Sequence, residues 1–369
     1  MNGLYTSNNI RFSANVILSD WDHTIAKWTD YPAQKYEPKH FENAVKGLND
    51  CAKAGDYLVL TTGRSPLKVS ENAHLLRQVP WHAASGNNGQ FYVSNPNFDH
   101  FEKNAFNKQY ENYMVHRSVM PNASDISDKA LWSIGLFHQG VSDVLKQLGY
   151  EEKDPTQHFE NFNSGKNDRT KLRYFVKNNN WQNSVSVVRD QSTLLVGPFN
   201  ADGSHGNKTD VHGEIAEEIE PLLTKWLNNK GINIKTSHHK EYKTYYSVHF
   251  IPAGADKSAP IPFAIQQAEE KQGEPIKGVI SIGDDLNDLA QLAPIGYKAL
   301  NGQKEIPNYP VVVGNLLSKP LATYTKEEQA QVRKLRANPR TIFLNPEKGK
   351  EITMSEALKK QRERIDLKA

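Results

Sequence analysis

Short unbroken apolar runs alternate with amphipathic stretches through the first hundred residues. Val16-Ile17-Leu18 is the first such run and predicts a strand ending at Ser19. After a polar loop, Phe41, Ala44, Val45, Leu48, Cys51 and Ala52 recur at three- and four-residue spacing, predicting a helix that Gly55 stops. A second strand is predicted over Tyr57 to Leu60. It leads into Thr61-Thr62-Gly63-Arg64-Ser65-Pro66, where Gly63 supplies a tight turn and Pro66 suits the first turn of another helix. Strand, helix, strand, helix in this order implies parallel pairing, so the expected fold class is α/β with a doubly wound parallel sheet.

From about Pro96 to Tyr245 the pattern changes to Asn, Lys, His and aromatic residues with irregular spacing. Strand candidates at Lys171 to Val176 and Ser192 to Val196, with a helix candidate at Val211 to Leu227, suggest an inserted α+β domain. The parallel layer is expected to resume at Tyr246 to Ile251 and Val279 to Ile282. A charged tail with helical stretches near Lys326 to Ala337 and Ser355 to Ile365 follows. The expected organisation is a catalytic core over 1–98 and 246–325, an insert over 99–245 and a helical extension over 326–369. No internal repeat or low-complexity tract points to a solenoid.

Composition narrows the function classes. The 369 residues can bury one large or two smaller cores, and a net charge of +3 with 24% charged residues builds no field that calls for nucleic acid or an anionic membrane. The single cysteine, Cys51, rules out an intramolecular disulfide or a multi-cysteine metal cluster. No apolar run approaches the roughly 20 residues of a membrane span, and Met1 to Asn15 is polar, so a cytoplasmic protein is expected.

The candidate chemistry sits where predicted strands end. Asp20-Trp21-Asp22-His23-Thr24 follows the first strand, and Gly283-Asp284-Asp285-Leu286-Asn287-Asp288 follows Val279 to Ile282. In an open parallel sheet ligands bind outside the carboxyl ends of the strands, so these acidic turns can share a site. Clustered carboxylates repel one another unless a hard cation sits among them, and Mg²⁺, which takes carboxylate and phosphate oxygens, is the expected cofactor. Asp20 is the candidate nucleophile, and Asp284 would complete a metal site with Asp20 and the backbone carbonyl of Asp22. Asp22 is the candidate general acid and then base. Thr62 and Gly63 offer a hydroxyl and backbone N–H groups to an oxyanion. Lys257 would supply a point charge to a phosphoryl group, with Asn287 and Asp288 orienting it.

Each element alone has an ordinary structural reading. Asp22 or Thr24 can cap a helix, Thr62 likewise, and a lone Lys257 is commonly a solvated side chain. Their conjunction in one order favours the functional reading. His23, His82, His116, His238 and His239 lack zinc-ligand spacing, and no Gly-X-Ser-X-Gly elbow, Walker loop or dinucleotide fingerprint occurs.

Taken in order, Asp20-Trp21-Asp22-His23-Thr24, Thr62, Lys257 and Gly283 to Asp288 resemble the four motifs of the haloacid dehalogenase superfamily of phosphohydrolases. Thr62-Gly63-Arg64, the Asn87-Asn88-Gly89 turn and Asp256-Lys257-Ser258 are similar to the Cof-type and sucrose-phosphatase-like branch. The resemblance implies a Rossmann-like core carrying a large cap between the second and third motifs. It also implies a Mg²⁺-dependent phosphatase, with contacts from Arg64 and Asn88 near the phosphate or substrate. Two features depart from that pattern: His23 stands where the family has a small residue, and the cap is long. The expected substrate is a small-molecule phosphate ester, foremost a sugar phosphate, with Lys171 and Arg173 as candidate cap contacts. The alternatives are a phosphotransferase or phosphomutase using the same aspartyl-phosphate, and a ligand-binding protein without catalysis.

Overall fold

The computed structural model describes residues 15–26, 28–30, 35–100, 134–155, 172–189, 191–199, 206–239, 243–299, 302, 304–314, 316, 325–344 and 352–367. Seven strands form the core sheet, in the order Ile342–Leu344, Val311–Val313, Gly278–Gly283, Asn15–Ser19, Tyr57–Thr61, Ala83–Gly86 and Phe91–Ser94. The first six run parallel, and the last turns back antiparallel from Ala83–Gly86. Val16, Ile17, Leu18, Leu58, Val59, Leu60, Val279 and Ile280 are fully buried, as expected of parallel strands covered on both faces. The chain order reverses at Asn15–Ser19, which has Tyr57–Thr61 on one side and Gly278–Gly283 on the other. Such a switch point opens a crevice at the strands' carboxyl ends.

The predicted helix after the first strand spans Pro38–Lys53, with Phe41, Ala44, Leu48 and Cys51 buried, and Gly55 beyond its end adopts φ +90°. Trp21 is buried and meets Phe41 edge-on, with ring centroids 6.1 Å apart, anchoring the turn after the first strand.

The second sheet is the expected insert. Six antiparallel strands lie in the order Ile234–His239, Tyr246–Pro252, Thr193–Val196, Asn180–Val188, Leu172–Lys177 and Tyr150–Glu152. The helices Ile134–Gln147 and Asp210–Asn229 contribute Phe137, Val141, Leu145, Ile219, Leu223 and Leu227 to the core against this sheet. They approach so closely at Gly140 that a Cβ there would lie 2.7 Å from Trp226. A separate cluster joins Tyr174, Val176, Trp181 and Phe199.

Two sequence expectations change. Tyr246–Pro252 does not rejoin the parallel layer: it pairs antiparallel with Thr193–Val196 and Ile234–His239, carrying the insert to Pro252. Ser247 and His249 alternate with Val248 and Phe250, a period that suits an antiparallel strand better than a strand buried on both faces. The charged tail is also more than helical. Ile342–Leu344 extends the core sheet beside Val311–Val313, while Met354–Asp366 packs against Pro38–Lys53, where a Cβ on Gly47 would lie 2.8 Å from Ser355 Cα. Arg362 Nε pairs there with the buried Asp56 at 2.7 Å. The other tail helix, Lys326–Ala337, spans the expected residues.

Candidate active site

Asp20, Thr62 and Asp284 each directly follow the last residue of one of three neighbouring parallel strands. The register sets Ser19 against Ile282 and Leu60, so the three chain ends come level. Asp20 N donates to Ile282 O at 3.0 Å, extending the ladder one residue beyond the strand.

The loop after the insert brings Lys257 between two carboxylates. Its Nζ lies 2.7 Å from Asp20 Oδ1, 2.7 Å from Asp288 Oδ1 and 3.5 Å from Asn287 Oδ1. Lys257 is only 1% exposed and Asp20 4%, so water screens this contact little. Burial works against the charged lysine, but Asp20 and Asp288 outweigh it and hold the ammonium above the ordinary lysine range. Burial also raises the Asp20 carboxyl well above its usual range; Lys257 opposes that rise, while Asp288, Asp284 and Asp22 add to it.

Asp288 is engaged on both oxygens. Oδ1 takes Lys257 and Gln291 Nε2, and Oδ2 accepts the backbone N–H groups of Asp284 and Asp285 at 3.0 and 3.1 Å. Close approach at Gly283 makes this possible, since a Cβ there would sit 2.4 Å from Asp288 Cγ. Asp284 accepts from Thr24 Oγ1 at 2.9 Å, and Thr24 also lies 3.4 Å from Asp20 Oδ2. Burial first, and then Asp288, push the Asp284 carboxyl up to about 7.

Carboxylate oxygens of Asp20, Asp284 and Asp288 lie within 4.8 Å of one another. Were all three carboxyls to ionise against the one ammonium, two negative charges would be uncompensated, which a divalent cation matches. Asp288 already spends its oxygens on Lys257, Gln291 and main-chain donors. Asp20 and Asp284 are therefore the side chains best placed to hold the ion, with Asp288 supporting them.

Asp22 faces elsewhere. Arg64 Nε donates to Asp22 Oδ1 and Oδ2 at 3.0 and 2.7 Å, and Arg64 Nη2 donates to Oδ1 at 2.5 Å. This two-pronged pair fixes Asp22 at the cavity wall. Thr62 Oγ1 accepts from Arg64 N at 3.1 Å, which leaves its own proton available to donate. His23 holds φ +54°, the left-handed conformation that a small residue adopts more readily.

The turn Asn87-Asn88-Gly89-Gln90 ties the parts together. Asn87 and Asn88 adopt φ +48° and +53° and Gly89 +84°, and their N–H groups reach back to the second strand's loop, Asn87 to Arg64 O and Asn88 to Thr62 O. A Cβ on Gly89 would lie 1.9 Å from the carbonyl oxygen of Asp256, so only glycine lets this turn pack on the Lys257 loop.

A cavity of about 340 Å³ opens above these groups. Of the expected residues, Asp20, Asp22, Gly63, Arg64, Lys257, Asp284 and Asn287 line it. Thr62, Asn88 and Asp288 stand behind: Asn88 Oδ1 would lie 3.0 Å from a Cβ on Gly63. Four lining residues escaped the sequence reading, namely His23, Lys68, Gln191 and Asp285. Lys68 shares a predicted helix with no motif, and Gln191 lies in a polar turn with no periodicity. Arg173 does not reach the cavity; it pairs with Glu152 at 2.6 Å and donates to Ser142 at 2.8 Å. Lys171 lies outside the described residues.

The profile of haloacid dehalogenase-like hydrolases matches residues 17–308. The chain belongs to this family. The superfamily resemblance carried by the four motifs is borne out, and the match supports a hydrolase. A search of curated proteins gave no match. Three solved structures show similarity at 13% identity. A hypothetical protein of Geobacillus kaustophilus has a TM-score of 0.45 over 95% of this chain and 99% of its own. A haloacid dehalogenase-like hydrolase of Bacillus subtilis scores 0.41 over 95% and 91%. The sucrose-phosphatase of Synechocystis, in complex with sucrose and phosphate, scores 0.40 over 95% and 98%. Among the described residues, no helix of this hydrolase is long and apolar enough to cross a membrane.

Proposed function

We propose that this hydrolase cleaves the phosphate monoester of a small polar metabolite, foremost a sugar phosphate, through an aspartyl-phosphate on Asp20. One observation carries the reading: Asp20 follows the central strand with Lys257 2.7 Å away, and Asp284 and Asp288 lie close by. Mg²⁺ held by Asp20 and Asp284 would offset the charge of the incoming phosphate.

The protein's own groups account for the remaining steps. A carboxylate oxygen of Asp20 attacks phosphorus as the ester P–O bond breaks, and Asp22 gives its proton to the departing alkoxide. Lys257 holds Asp20 and carries positive charge to the phosphoryl oxygens, aided by the Thr62 hydroxyl and the N–H groups of the Gly63 turn. Water then attacks phosphorus, Asp22 takes its proton, and the Asp20–phosphorus link breaks to release inorganic phosphate. Arg64 occupies both oxygens of Asp22 in the resting site, so Asp22 takes up its acid and base role as that pair opens onto the cavity.

The test is phosphate release from a broad monoester panel with Mg²⁺, using Asp20→Asn as the control. The expected result is turnover of sugar phosphates by the wild type and a loss of at least about 10³-fold in the variant. Equal rates in both proteins would remove Asp20 from the chemistry. Phosphate appearing on added alcohols in place of water would select the phosphotransferase alternative.

A further inference from the structure

Among the described residues, Gln191 is the cavity's one lining residue from the cap. It lies in the turn between Asn180–Val188 and Thr193–Val196, where its N–H donates to Val188 O at 3.3 Å. The next residue fastens this turn at both ends. Ser192 Oγ donates to Gln90 Oε1 of the core turn at 3.0 Å, with both residues buried, and Ser192 O accepts from Phe250 N at 2.8 Å.

A line of polar side chains runs behind Gln191. Ser247 Oγ lies 3.1 Å from His249 Nε2, His249 Nδ1 lies 3.0 Å from Thr193 Oγ1, and Thr193 Oγ1 lies 3.3 Å from Gln191 Oε1. One placement of protons satisfies these three contacts: Ser247 O–H donates to Nε2, Nδ1–H to Thr193, and the Thr193 O–H to the Gln191 carbonyl. With its carbonyl engaged by Thr193, Gln191 keeps its NH₂ as the group to donate to a ligand in the cavity it lines.

We infer that Gln191 determines specificity for the leaving group, donating to a hydroxyl or ether oxygen of a polyhydroxylated alcohol, and that Thr193 positions it. The inference rests on the phosphatase reading above. Among the described residues lining the cavity there is no aliphatic side chain and no Phe, Tyr or Trp. An oxygen-rich leaving group gives Gln191, Lys68 and His23 partners, whereas an apolar one strands the Gln191 donor in a desolvated cleft.

The test compares kcat and KM on hexose and pentose phosphates with those on p-nitrophenyl phosphate, all with Mg²⁺. The proteins are the wild type, Gln191→Leu, Gln191→Glu, Thr193→Val and Thr193→Ser. In Gln191→Leu, the kcat/KM ratio of sugar ester to aryl ester should fall about tenfold or more, chiefly through KM, as expected for one lost ligand hydrogen bond. Gln191→Glu, which keeps the size but loses the donor, should show the same loss. Thr193→Val should lower the ratio severalfold and Thr193→Ser should restore it. A ratio within twofold of wild type in both Gln191 variants overturns the inference, as does a Thr193→Val loss that Thr193→Ser fails to rescue. Wild-type protein that turns over the aryl ester and no sugar ester also overturns it, leaving the phosphatase reading intact. Wild-type protein that hydrolyses neither overturns the phosphatase reading and the inference together.

Discussion

The two walls of the cavity are held in different ways. On the core side, Asp20 and Asp284 sit at the ends of adjacent strands whose hydrogen-bond ladders fix them, and buried charge binds Lys257 to Asp20 and Asp288. On the cap side, the Gln191 turn rests on hydroxyls, one amide and a histidine. A desolvated ion pair loses several kcal/mol when one partner is removed, whereas a neutral hydrogen bond is worth about 1 kcal/mol. The core wall is therefore expected to be all-or-none and the cap wall to be adjustable, as a division between chemistry and substrate choice requires.

The comparison breaks most readily at Lys257. Lys257→Met leaves the buried Asp20 and Asp288 carboxylates without their ammonium, so thermal or urea unfolding should show a loss of roughly 3–5 kcal/mol. Phosphate release should fall by at least about 10²-fold. A stable, active variant would mean the core wall does not depend on that charge. Gly89→Ala comes next, because its Cβ would strike the Asp256 carbonyl at a backbone φ of +84°. It should cost about 3 kcal/mol and lower kcat by displacing Lys257, measurable by unfolding and steady-state rates on the same sample.

A third variant probes the core away from the site. Burial raises the Asp56 carboxyl to about 6, against the opposing pull of Arg362 and Asn15. Between about pH 4 and 6 the folded state therefore binds more protons at Asp56 than the unfolded state does. Its contribution to stability falls as pH rises through that window. The stability difference between wild type and Asp56→Asn should change by up to ~3 kcal/mol from pH 4 to pH 7, with the wild type losing ground. A flat difference would show that Arg362 compensates fully.

The smallest effect is expected in the cap. Arg173→Met removes the pair with Glu152 and should cost roughly 1–2 kcal/mol of stability, with turnover within twofold of wild type. A large loss of activity would mean that the cap wall extends beyond the Gln191 turn.

The same contrast explains what the amino-acid order reveals. Asp20, Asp284 and Thr62 are legible because unbroken apolar runs announce the strands they terminate, and strand ends in a parallel sheet meet at one edge. Lys257 is legible only as part of a motif; its partners Asp20 and Asp288 lie 237 and 31 residues away. The pairing of Arg64 with Asp22 is a tertiary accident of two loops, and no spacing encodes it. Tyr246–Pro252 misleads because its place just before a motif outweighs its alternation of Ser247 and His249 with Val248 and Phe250, the period of an antiparallel strand. Gln191 carries no signal at all, since a polar turn residue has neither period nor neighbour that marks it. The tail's edge strand hides for a related reason: three residues, Ile342-Phe343-Leu344, are too few to show a pattern.

The most direct measurement is a calorimetric titration of Mg²⁺ into the wild-type protein and into Asp284→Asn at neutral pH. One ion should bind per wild-type chain, and binding should vanish in the variant, because Asp20 and Asp284 together answer the uncompensated charge beside Lys257. Undiminished binding by Asp284→Asn, or no binding by folded wild-type protein, would contradict the placement of the cation at these strand ends.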